Sequence, residues 1–172
     1  MTKFVKFAAL AATVLATTPA LSAPVGVTGT PPSATARIIR PLSLTSTGSL
    51  NFGTIVLNGV TANRTVALSS GNVLDCGAGT AELVCSGTTS VPSYNVRGTN
   101  NQVVTVIKTA TNLTNSTDSS TLSMTPTGAA TVTLTNSGAP GFDFNIGGTI
   151  VIGTATTDGV YSGVVNVQVD YQ

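Results

Sequence analysis

Beyond its first two dozen residues the chain nowhere sustains the 3.6-residue spacing of apolar side chains that a helix needs. Short runs of Val, Ile and Thr recur instead, each closed by Gly, Asn, Pro or Ser, and this rhythm restricts the chain to strands joined by turns. Strands are expected near residues 34–45, 49–57, 64–69, 83–86, 93–97, 103–108, 121–125, 130–135, 149–153 and 161–171. In ATVTLTN, Val132 and Leu134 point to one face and Thr131, Thr133 and Thr135 to the other, as in a sheet that is buried on one side and wet on the other. Regularly spaced short strands of this kind fit an all-β fold, an antiparallel β-sandwich of two sheets. Pro41 in RIIRPLSL cannot donate to a ladder, so the first strand lies at an edge or breaks near Arg40.

The start of the chain follows a different pattern. MTKFVKFAALAATVLATTPALSA carries Lys3 and Lys6, then an apolar run from Phe7 to Ala16, then Pro19 and small residues. This is the layout of a secretory signal peptide, with cleavage after Ser22 or Ala23. The apolar run falls short of the about 18 residues that a membrane-crossing helix requires. The expected organisation is a removed signal peptide (1–22), an extended arm (23–33) and one β-sandwich domain (34–172), in a protein exported to the periplasm, the cell surface or the medium. In the arm PVGVTGTPPS, Val25 and Val27 alternate and Pro31-Pro32 stiffens the junction. The processed chain keeps five basic and six acidic side chains, so nucleic acid and anionic membrane surfaces find no concentrated positive charge to bind.

The sequence contains no histidine, which removes the usual general base, triad member and zinc ligand. The acids show no close pairing at strand spacing, Asp143 and Asp158 sit beside turn residues, and no segment has the acidic density of a calcium loop. No catalytic, metal-binding or cofactor-binding residue is expected, and the protein is read as a non-enzyme without cofactors. Cys76 and Cys85, in LDCGAGTAELVCSG, are an even pair close in sequence, which outside the cytoplasm favours a disulfide. Closing a loop of about ten residues stabilises by roughly 2.5–3 kcal/mol on the chain-entropy account. Asn-x-Ser/Thr triplets at Asn63, Asn112 and Asn115 are the chemical mark of exposed loops.

The segment GVYSGVVNVQVDYQ places Tyr161, Gly163, Val165, Val167, Val169 and Tyr171 on one face. Each fully buried valine contributes about 1.5–3 kcal/mol, so this strand belongs to the core. At a sheet edge it would present a long flat apolar ladder, blunted by no proline or lysine and by one charge, Asp170. Strand addition from another chain uses such an edge deliberately. An ordinary terminal core strand, completed within the same chain, is the other reading.

The same residues carry a resemblance. With penultimate Tyr171 and with Gly159 fourteenth from the end, the segment is similar to the close of fimbrial subunits of the chaperone–usher pathway. GVYSGVVNVQVDY also resembles the ending of spore coat U-type secreted domains used in archaic pili. ATARIIRPLSLTSTGSLNFGTIV and FNIGGTIVIGTATTDGVYSG resemble a family of exported Gram-negative bacterial domains with no assigned function. The resemblance implies an immunoglobulin-like sandwich that lacks its last strand and is completed by donor-strand exchange, in a secreted structural subunit of a surface filament. It implies an acceptor side formed by residues 159–171 with the first strand, 34–44, and a donor arm around Val25 and Val27. The partners implied are like subunits in a homo-polymer, a periplasmic chaperone and an outer-membrane usher. Donor arms of fimbrial subunits offer four or five alternating hydrophobic residues, whereas this arm offers two valines. The alternative function is a self-contained exported β-sandwich acting as an adhesion or glycan-binding module through loops such as 109–120.

Overall fold

The computed structural model describes residues 23–77, 79 and 81–172. The expected signal peptide, residues 1–22, lies outside them. The chain divides into two units, Met1–Arg37 and Ile38–Gln172. Within the first, residues 23–37 have no regular structure apart from a bend at 28–30, and Val25 and Val27 are exposed.

The second unit is all-β, with no helix among the described residues. Its strands in chain order are β1 (Ser43–Thr47), β2 (Thr54–Leu57), β3 (Arg64–Leu68), β4 (Leu74–Cys76), β5 (Leu83–Ser86), β6 (Ser93–Arg97) and β7 (Val103–Thr109). They continue as β8 (Thr111–Asn115), β9 (Thr121–Thr127), β10 (Thr131–Thr133), β11 (Phe142–Asn145), β12 (Gly147–Ile152), β13 (Tyr161–Ser162) and β14 (Asn166–Tyr171). All pairings are antiparallel, in sheets ordered β1-β6-β11, β10-β7-β14, β13-β8-β9-β12-β3-β4 and β2-β5.

Two apolar clusters make the core of a β-sandwich. The two three-stranded sheets share Tyr94, Val96, Val104, Val106, Val132, Leu134, Phe144 and Ile146, with the rings of Tyr94 and Phe144 stacked at 5.6 Å. The six-stranded sheet and the β2-β5 pair share Phe52, Val66, Leu68, Leu83, Leu122, Met124, Ile150 and Ile152. Around this second cluster the strands run as a circuit. It passes from β13 through β8, β9, β12 and β3 to β4, crosses to β5 by the Cys76–Cys85 disulfide (Cα–Cα 5.9 Å), and ends on β2. The ion pair of Arg64 Nε with Glu82 Oε2, at 2.6 Å, supports the same crossing. Between β2 and β13 the circuit is open.

The structure departs from the expected strands in physically readable ways. Regular pairing begins at Ser43 rather than residue 34, because the backbone around Arg40 is engaged elsewhere: its N–H donates to Thr99 Oγ1 at 2.7 Å, and its carbonyl accepts from the Tyr171 hydroxyl at 2.7 Å. The terminal strand is broken at residues 163–165, with β13 on β8 and β14 on β7, because the partner strand itself breaks at Ala110. Three strands fall outside the expected set. LDC (β4) is too short to show alternation, and TNLTN (β8) has one large apolar side chain. FDFN (β11) alternates but is too short to outweigh its turn-like neighbours.

Burial grades the core. Leu134 is fully enclosed, while Val165, Val167, Val169 and Tyr171 are only half-buried, although Val169 and Tyr171 pair with the buried Val106 and Val104 of β7. Leu134→Ala is expected to lower unfolding free energy by about 2–5 kcal/mol and Val169→Ala by about 1 kcal/mol, with unchanged denaturant m-value; urea titration of the two variants checks the order.

Candidate functional site

The opening in the circuit is a cleft of about 770 Å³. Its floor is apolar, formed by Leu113 of β8, Leu122 and Met124 of β9, and Ile150 and Ile152 of β12. One wall is residues 50–57, ending in β2, and the other is residues 156–163 with Val165, which include β13. β2 is paired only with β5, and β13 only with β8, so each presents an unpaired backbone edge. Val56 and Val160, both exposed, lie in these walls.

The terminal segment is thus divided in its surroundings. Gly159, Tyr161 and Val165 line the cleft; Val167, Val169 and Tyr171 do not, and pack instead with Leu42 and Leu44 against the other cluster. Across the cleft from Tyr161 the wall is β2 and the residues before it, while Leu42 and Leu44, from the first strand that the resemblance implied as part of the acceptor side, lie with Val167 and Val169. Tyr171 seals its own end of the strand: its hydroxyl accepts from Thr99 N at 2.8 Å while donating to Arg40 O. A side chain at Gly98 would collide with that hydroxyl, which explains the glycine. Val25 and Val27 belong to the other unit and are exposed there.

One wall is held by a polar cluster that sequence reasoning missed. Asn115, at 1% exposure, is the one buried polar side chain of the described core. Its Nδ2 donates to Asp158 O at 3.0 Å, and its Oδ1 accepts from Thr117 N at 2.9 Å. Its carboxamide therefore ties the β8–β9 turn to the cleft wall instead of standing in solvent as its Asn-Ser-Thr triplet suggested. Gly159, at φ 144°, passes directly over this carboxamide, where a Cβ would overlap Asn115. Tyr161 is fastened from the same side, donating to Thr157 O at 2.9 Å and lying 3.0 Å from Ser120 Oγ. Thr157 Oγ1 donates to Asp118 Oδ2 at 2.7 Å, and Ser120 N to Asp118 Oδ1 at 2.9 Å. Those donors hold the Asp118 carboxyl below its ordinary range, Thr157 contributing most and Ser120 next. Hydrogen bonds from Ser120 and Thr157 likewise lower the Tyr161 phenol. Across the disulfide crossing, Arg64 first and Thr61 second bring Glu82 down to about 2.

Among the described residues no three His, Cys, Asp or Glu side chains converge as a metal site, and no helix is long and apolar enough to cross a membrane. The functional chemistry on view is a strand-sized apolar cleft between two open backbone edges of an antiparallel β-sandwich. The chain belongs to the DUF4402 family, a domain of unknown function, which matches residues 42–171 and so spans both clusters and the cleft. No curated protein and no solved structure matches it.

Glu82 and Asp118 are more acidic folded than unfolded, so their contribution is fully present above the ordinary carboxylate range and is lost as pH falls below about 4. The unfolding midpoint is expected to fall between pH 4 and 2, and Arg64→Met and Asp118→Asn are each expected to flatten part of that fall in a thermal-melt series. Gly159→Ala is expected to destabilise by about 1–3 kcal/mol, read by urea denaturation, because alanine must adopt a positive φ over Asn115.

Proposed function

We propose that the protein is an exported structural subunit of a surface filament, whose cleft takes a β-strand from the arm of a second copy. The observation that carries this reading is the single opening between β2 and β13, with an apolar floor and an unpaired backbone edge on either side. An incoming strand would pair with both edges and cover half-buried Leu113 and the exposed Val56 and Val160 of the walls, the combination on which strand addition relies. Its length supports the choice of donor. β2 is four residues long, about 13 Å at 3.3 Å per residue, and a strand of that length directs two side chains to the floor. Val25 and Val27 are two apolar side chains at that spacing. An arm too thin for the whole terminal strand is thus adequate for the part that is open.

In this reading the fold is an immunoglobulin-like sandwich one strand short. A periplasmic chaperone covers the cleft before assembly, an outer-membrane usher exchanges it for the arm of the next subunit, and the product is a homo-polymer at the cell surface. The half-burial of Tyr161 and Val165, which line the cleft, is consistent with a strand still to be added there. A self-contained exported module is the second reading, favoured by Tyr171, which ties the end of β14 to Arg40 without help from another chain.

Purified processed protein is expected to run as a ladder in unboiled denaturing gels, and deleting residues 24–33 to collapse it to one band. A peptide of residues 23–33 added to the truncated protein should raise its melting temperature in a concentration-dependent way, which Val25→Asp with Val27→Asp in the peptide abolishes. A truncated monomer whose β13 and β2 amides are already protected from hydrogen exchange, with no response to the peptide, would overturn the proposal in favour of the second reading.

A further inference from the structure

At the opposite end of the terminal strand from the cleft, Arg40 and Arg97 line a second, smaller depression of about 250 Å³ with Pro41, Ser43, Gly98 and Gly138. Neither guanidinium has a carboxylate partner, the ion pair among the described residues being Arg64 with Glu82. The acid on the neighbouring strand, Asp143, is occupied by Asn95, whose Nδ2 donates to its Oδ1 at 2.6 Å. Asn95 Oδ1 in turn accepts from Arg97 Nε at 3.1 Å, which holds that guanidinium by one corner and leaves its two terminal amino groups unclaimed. Arg40 is fixed from behind, since both its backbone N–H and its carbonyl are bonded. Its Nη1 lies beside Gly138, 3.6 Å from where a Cβ would stand, which is ordinary van der Waals contact.

Two positive side chains lining one hollow repel each other, and a ligand carboxylate between them relieves that repulsion through paired, charge-assisted hydrogen bonds. We propose that this depression binds a sugar residue bearing a carboxylate, with Arg40 and Arg97 taking the carboxylate. The hollow is smaller than the about 300–1,000 Å³ of sites for drug-sized ligands, which suits one ring rather than a chain. The Pro41 ring offers an apolar face and Ser43 a hydroxyl, matching the C–H face and hydroxyls of a sugar.

The test is a titration of the purified protein followed by amide NMR at residues 97–99 and 138, with sodium glucuronate as the probe, glucose as the uncharged ring and acetate as the bare anion. Expected are saturable shifts with glucuronate, about tenfold weaker binding of acetate, none with glucose, and weakening by added salt. Arg40→Met and Arg97→Met, each with an unchanged melting temperature, should weaken glucuronate about tenfold. Equal binding of acetate, equal binding of glucose, no saturable shift, or binding that survives both substitutions would each overturn the proposal.

Discussion

A sheet that curls round an apolar core must pair its last edge with its first or leave both open, and here β2 and β13 are left open. Every backbone amide withdrawn from water needs a partner, so an unpaired edge has to remain wet. The side chains beside it cannot then be covered from above. That constraint accounts for the gradient of burial across the molecule. Val104 and Val106, flanked by strands on both sides, are enclosed, while Val167 and Val169 on the adjoining edge strand are half-covered. The same constraint leaves Val56 and Val160 exposed in the cleft walls, while Leu122 and Met124 at its floor stay buried within the second cluster.

An open edge is useful only if its walls keep their positions. The polar cluster of Asn115, Asp118, Ser120, Thr157 and Tyr161 supplies that rigidity on the β13 side, where β13 itself has two residues and two ladder partners. A short strand held by so little ladder would fray. The hydrogen bonds from the β8–β9 turn replace what the missing ladder does not provide, and Gly159 lets the chain pass closely enough for them to form.

Much of this was legible in the sequence, and what was hidden was hidden for one reason. Alternation in residues 130–136 and 161–171 gave the inward faces, and Val132, Leu134, Val167 and Val169 do point into the sandwich. The closeness of Cys76 and Cys85 in sequence, with the expectation of export, indicated their bond. Alternation reports which side of a strand is apolar, and it carries no information about which strand lies alongside. Hence the pattern did not reveal that Phe52 to Leu57 stand across the cleft from Tyr161, and the break between β13 and β14 left no trace in an unbroken odd-numbered pattern. Asn115 was equally unreadable. Its triplet is a surface motif by composition, and only the approach of Asp158, 43 residues away, with Gly159 beside it makes it a buried anchor.

The disulfide has a consequence for where the molecule becomes itself. Cys76 and Cys85 join two strands that share no ladder, so with the thiols reduced the circuit loses its covalent clasp at the β4–β5 crossing as well as lacking a strand between β2 and β13. A reducing compartment would therefore hold a chain with two weak seams, prone to pairing in the wrong place. Oxidation leaves one. The bond acts as a clasp, and with it closed the circuit round the second cluster keeps its opening between β2 and β13 alone.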